Sequence, residues 1–226
     1  MRNHKMPRED ELLFILMENT LEYNSDRYAQ VLSELLDLLY ASDSYKTVVT
    51  LCYSNNLTSI RAGAWLASNL GKKAISIYED IVKLIKHEDP IVRYEIIELI
   101  LNCSDNGKDL VELIICLNDK EKIVRIRALD YLHFLSPVQI NKALTFAKEN
   151  KLKDVIEVLE LFNAILSGDL TINEVLEKLE QYSMLGKKAI VASLIKLGIK
   201  NTYLKKIVAK SKNEDLQHYY KYYIYD

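Results

Sequence analysis

Glu98 and Asp130 stand 32 positions apart, in segments that repeat one another, so they would reach equivalent places on neighbouring helices whose axes lie about 8–10 Å apart. Two carboxylates so placed could divide general acid and general base work. A solvated or partner-facing acidic strip requires no such division, and it is the expectation for this pair. The dipeptide His87-Glu88 offers a metal-ligand combination, but only once: His4, His133 and His218 are not followed by Glu. A metal needs several converging ligands, so neither a metal nor any other cofactor is expected. His87 suits the end of a helix, where the macrodipole favours a cation. Cys52, Cys103 and Cys116 lie within apolar patterns without CxxC spacing, and read as buried thiols in a reducing cytosol. No Ser/His/Asp set and no phosphate-cradling glycine loop is recognisable, so no catalytic residue is assigned.

Two further stretches have unusual composition. Lys187, Lys188, Lys196, Lys200, Lys205, Lys206, Lys210 and Lys212 follow one another without an intervening acid, whereas Asp154 to Glu180 holds seven acids against Lys178 alone. The basic run could meet phosphate or an acidic protein, and a solvated terminal face is the simpler expectation. The chain closes on His218-Tyr219-Tyr220-Lys221-Tyr222-Tyr223-Ile224-Tyr225-Asp226. Tyrosine packs a ring while its hydroxyl stays wet, so this segment reads as a cap over the last helices, with a contact patch as the alternative.

The elements that must position these residues are helices. Ile60-Arg61, Val92-Arg93 and Val124-Arg125 recur every 32 residues. Ala64, Ile96 and Ala128 form one column, Ala67, Leu99 and Tyr131 the next, and Trp65 aligns with Ile97 and Leu129 as a core position. These columns are three and four apart, which is one helix face. An amphipathic stretch precedes each of the later blocks, Lys73 to His87 and Lys108 to Asn118, so the unit is a helical hairpin. Ser136 to Gln139 and Thr171 to Glu174 read as capping boxes, and Gly168 and Gly198 fall where helices should stop. About fourteen helices joined by short connections are expected, with neighbours antiparallel.

Asp89-Pro90-Ile91-Val92-Arg93 resembles the start of the second helix of a HEAT repeat, and Glu121-Lys122-Ile123-Val124-Arg125 is a degenerate version. Asp89 can cap the helix and Pro90 suits its first position. Asp89 to Arg93 and Glu121 to Arg125 are i,i+4 acid-to-base pairs. The resemblance implies that these arginines also bridge neighbouring repeats. It implies an all-α superhelix, a HEAT-like solenoid over residues 1–226 as one domain, clearest at 57–135 and capped at about 200–226. In such an array the second helices line a concave face. Leu66, Glu98 and Asp130 then share one outward column and Gly63, Glu95 and Arg127 another.

The fold class carries the functional expectation. It is a non-catalytic protein-binding module, an adaptor or a bacterial antitoxin or immunity protein, gripping a protein partner (a toxin in the latter case) through Tyr94, Glu95, Glu98, Arg127 and Asp130. The alternative is a nucleic-acid-binding relative of the HEAT-like alkylpurine DNA glycosylases. Such enzymes need a basic groove with aromatics and a carboxylate, and a formal charge of −2 with one tryptophan does not suggest one. Deoxyhypusine hydroxylase, a HEAT-repeat di-iron enzyme, uses several His-Glu pairs where this chain has one. The longest nearly apolar run, Leu110 to Leu117, is far short of the roughly 20 residues a membrane helix requires. Met1 to Glu11 lacks the apolar core of a signal peptide, so a cytoplasmic protein is expected.

Overall fold

The computed structural model describes residues 6–18, 21–199 and 202–224. Met1 to Lys5, with His4, lie outside the described residues, as do Lys200, Tyr225, Asp226 and the side chain of Tyr223. Among the described residues every regular element is helical and no strand occurs. Backbone packing divides the chain into two compact units, Met1–Cys103 and Ser104–Asp226.

The first unit holds α1 (Arg8–Met17), α2 (Asp26–Tyr40), α3 (Lys46–Cys52), α4 (Leu57–Leu70), a single turn α5 (Tyr78–Ile81) and α6 (Pro90–Cys103). Its core is built from Leu12, Leu16, Leu35, Leu39, Leu51 and Ile96, all buried. Helices α3 and α4 approach closely because α4 presents small residues to its neighbour. A Cβ on Gly63 would lie 2.7 Å from the Cys52 nitrogen and 2.8 Å from its sulfur. The stretch expected as one helix, Lys73 to His87, is a 3₁₀ segment (Gly71–Ile77), then α5, then a second 3₁₀ segment (Val82–Lys86). Its buried residues, Ala74, Ile77, Tyr78, Ile81, Leu84 and Ile85, mix spacings of three with spacings of four, so the apolar pattern suits a 3₁₀ turn as well as an α-helical one.

The second unit contains α7 (Gly107–Ile115), a 3₁₀ turn (Cys116–Asn118), α8 (Lys122–Leu132), α9 (Pro137–Glu149), α10 (Lys153–Ser167), the short α11 (Ile172–Glu177), α12 (Met184–Lys196), α13 (Thr202–Ser211) and α14 (Glu214–Ile224). Both expected capping boxes form: Ser136 with Gln139 opens α9, and Thr171 with Glu174 opens α11. Gly168 and Gly198, at φ 81° and 70°, end α10 and follow α12 in the left-handed conformation that glycine alone adopts without cost. Helix α12 is buried on every face from Gly186 to Ile195. It packs against α10, α8, α13 and the Cys116–Asn118 turn, and α14 lies on α13 and α8. Contacts in this unit therefore run further along the chain than nearest-neighbour stacking of hairpins.

Tyr219, 1% exposed, belongs to that core, while Tyr222 stands out in solvent. Burial holds the Tyr219 phenol protonated, and its hydroxyl shares a hydrogen bond with His133 Nδ1 at 3.2 Å. Burial, reinforced by the Lys196 ammonium, lowers the His133 pKa to about 4. An imidazole neutral in the fold but chargeable when unfolded contributes stability that is complete above pH ~6.5 and is lost as pH falls toward 4. For this partly exposed ring the loss is about 1–2 kcal/mol after allowing for solvent screening. Urea unfolding at pH 7 and pH 4.5 is expected to show that loss in the native protein and a smaller one in His133→Asn. Equal losses would assign the pH dependence to other groups.

Candidate functional site

The arginines of the repeat are scaffold. Arg93 Nη1 donates to the carbonyls of His87 and Glu88, each at 2.8 Å, and Arg125 Nη1 does the same to Asp119 and Lys120 at 2.9 and 3.0 Å. In both cases the guanidinium closes the turn preceding its own helix. Asp89 caps α6, accepting from the backbone N–H of Ile91 and Val92 at 3.1 and 3.2 Å. It also takes both ends of a fork from Arg61, Nε at 3.2 Å and Nη2 at 2.6 Å. Arg61 thus bridges α4 to the head of α6, although its own block lacks the acid and proline of the other two. Burial works against the charged form of Asp89, but the hydrogen bonds from Arg61 and the helix N-terminus prevail and hold its carboxyl below the usual range.

The lysine run divides in the same way. Lys187 and Lys188 are buried, and Lys196 donates to the carbonyls of His133 and Leu135 at 2.7 and 3.1 Å, closing the end of α8. Lys188 donates to the carbonyl of Leu117 at 2.6 Å and to Asp215 at 2.9 Å. Only Lys205, Lys206, Lys210 and Lys212 of the described members face solvent. The continuous basic strip suggested by composition is therefore broken by use: α12 runs through the middle of its unit, where Lys188 and Lys196 reach carbonyls and Lys187 and Lys188 reach the carboxylates of Glu180 and Asp215.

Of the residues expected to face a partner, Tyr94 and Glu98 are half-buried on α6, and Arg127 and Asp130 half-buried on α8 of the second unit. The Arg127 guanidinium lies 4.3 Å from the centre of the Tyr131 ring. Glu95 is 9% exposed and accepts a hydrogen bond from the Ser68 hydroxyl at 2.8 Å, so α4 covers most of it. Leu66, placed by alignment in an outward column, is fully buried. Trp65, placed in the core, is only half-buried. One cause accounts for both reversals. The flank of α4 that meets its neighbours is made of Ala62, Gly63 and Ala67, and helices packed that closely leave no room for an indole.

Trp65 instead forms a wall of a cleft of about 350 Å³ inside the first unit, with Tyr23, Tyr28, Leu32, Arg61 and Ile91 around it and Glu95 reaching it. The rings of Tyr23 and Tyr28 meet edge to face, 5.4 Å between centres. The Arg61 guanidinium carbon lies 4.5 Å from the centre of the Tyr23 ring, a cation–π contact that, with the Asp89 fork, fixes the guanidinium in place. Burial raises the pKa of the Tyr28 phenol well above its ordinary value, with Tyr23 adding to the effect, so it stays protonated and serves as wall. Sequence reasoning missed Tyr23 and Tyr28, which precede the first clear repeat and share no column with it. Another cleft of similar volume in the second unit, between the end of α7 and the start of α10, is walled mainly by Ile114, Ile115, Leu152, Val155 and Leu185.

Among the described residues no group of three or more His, Cys, Asp or Glu is placed to hold a metal. No helix of the described residues is long and apolar enough to cross a membrane. Burial pushes the Cys52 thiol up to about 12 and the Cys103 thiol up to about 11, which leaves little thiolate for chemistry at neutral pH. Comparisons of the chain with protein families, with curated proteins and with solved structures returned no match.

Proposed function

We propose that the protein is a non-catalytic binding module for a protein partner, built from HEAT-like hairpins stacked as a solenoid, with its contact surface centred on the cleft of the first unit. The observation that carries this reading is the cleft wall: Trp65, Tyr23 and Arg61, the residue types that dominate binding hot spots, gathered around one concavity. The other prominent cations, Arg93, Arg125, Lys188 and Lys196, spend their hydrogen bonds on carbonyls and carboxylates of the fold. Glu98, one turn beyond Glu95 on α6, extends the same surface.

Capture from native lysate by the immobilised chain, read by mass spectrometry, tests the proposal. One protein is expected to be retained by the native chain, lost with Trp65→Ala and weakened with Glu98→Lys. Retention of nothing, or capture indifferent to both substitutions, would sink it.

A further inference from the structure

The chemistry left open in this cleft says which kind of group it holds. Arg61 spends Nε and Nη2 on Asp89, and among the described residues its Nη1 makes no hydrogen bond. Its side chain is still 22% exposed, against 8% for Asp89, so the surface of this ion pair that meets solvent is the cationic one. The indole N–H of Trp65 likewise bonds to no described residue, and Trp65 is only half-buried. The open polar capacity contributed by α4 is therefore two donors, one of them on a guanidinium fixed by Asp89, beside the apolar surfaces of Leu32 and Ile91.

A cationic guest is disfavoured by the same geometry. One face of the Tyr23 ring, the natural platform for a cation, is already occupied by Arg61. Glu95, the acid that reaches the cleft, is nine-tenths buried and turned onto the Ser68 hydroxyl. A group that accepts two hydrogen bonds fits what remains, and a charged acceptor draws the stronger bond from a guanidinium.

We infer that the cleft is a carboxylate-binding site, in which Arg61 Nη1 and Trp65 Nε1 donate to the carboxylate while its apolar body packs on Tyr23, Leu32 and Ile91. This rests on the reading of the cleft as the contact site. The carboxylate can be that of a free organic acid or of the partner chain, at a C-terminus or an acidic side chain. Charge-assisted bonds from a preorganised guanidinium are the strong ones, and Arg61 loses little freedom on making them.

Trp65 is the chain's one tryptophan, so its fluorescence reports this cleft alone. Titration with phenylacetate is expected to give a saturable change, with phenylacetamide at least tenfold weaker and phenethylammonium without effect. Glu95→Gln, which removes a like charge and keeps the shape, should tighten phenylacetate severalfold. Arg61→Gln should weaken it at least tenfold. Because Arg61→Gln also removes a scaffold contact and could unfold the unit, the sign of the Glu95→Gln effect stands as the independent criterion.

An acetylated peptide ending in phenylalanine, with its C-terminus free, separates the sources. Tighter binding than phenylacetate points to a chain terminus and equal binding to a free acid, and both outcomes uphold the site. Preference for the ammonium, equal binding of the amide, weakening by Glu95→Gln or no saturable signal would overturn it. If that happened while lysate capture still depended on Trp65, the binding-module reading would survive and only the carboxylate assignment would fall.

Discussion

Asp215→Ala is expected to destabilise the second unit by about 3–5 kcal/mol. Asp215, 4% exposed, receives Arg125 Nε at 2.8 Å and Nη2 at 3.1 Å, together with Lys188 Nζ at 2.9 Å. Removal of the carboxylate leaves the Lys188 ammonium, itself 3% exposed, with the Leu117 carbonyl and no counter-charge. The loss is thus mainly the cost of an uncompensated buried cation. A second substitution, Lys188→Met, removes that cation and should recover part of the loss, about 1–2 kcal/mol. Urea unfolding of native, single and double variants measures both numbers; additive losses in the double variant would show that the two groups do not interact.

Burial by itself would raise the Asp215 pKa, but the hydrogen bonds from Arg125 and Lys188 more than offset it and hold the carboxyl below its ordinary value. A carboxylate with a depressed folded pKa contributes stability that is complete above its unfolded value and is lost as pH falls through the folded one. The Asp215 contribution should therefore hold through the His133 window and disappear below about pH 4.

Gly107→Ala is expected to cost about 2–3 kcal/mol, because the added methyl has nowhere to go. Its Cβ would lie 2.4 Å from the carbonyl oxygen of Lys142 and 2.9 Å from that carbonyl carbon. Both atoms are backbone of α9, so α7 and α9 must separate. Gly168→Ala is the control: it meets nothing within 4 Å, yet its left-handed conformation, φ +81°, strains any side-chain-bearing residue, at about 1 kcal/mol. Equilibrium unfolding of the two variants separates contact from conformation. A loss in Gly107→Ala no greater than that in Gly168→Ala would mean that α7 and α9 do not pack at this distance.

Much of the helical plan was legible because its signals are local. Ser136 and Gln139, Thr171 and Glu174, and Asp89 with Pro90 specify helix starts through hydrogen bonds within four residues, and each appears as read. Lys73 to His87 failed as a single helix because its apolar spacing of three and its spacing of four overlap in so short a segment. The candidate site was much less legible. Trp65 and Leu66 are adjacent, both apolar and equally suited to a core by type. Which one faces the cleft depends on how closely α4 approaches α3, and that is set by Cys52 opposite Gly63.

The sequence by itself determined the helical class and most helix starts and stops, since periodicity and capping act over one or two turns, whereas the acids expected four residues before Arg93 and Arg125 are not the partners they take: Asp89 holds Arg61, and Arg125 holds Asp215. Tertiary structure alone decided which charges are spent inside the protein. Lys188 and Lys196 look like members of an open basic run until α12 is seen buried on all sides, and Asp215 lies 90 residues from the Arg125 it holds. It alone also joined Tyr23, Arg61 and Trp65 around one cleft. Those contacts cross between helices, and no local rule records how far apart the helices will stand.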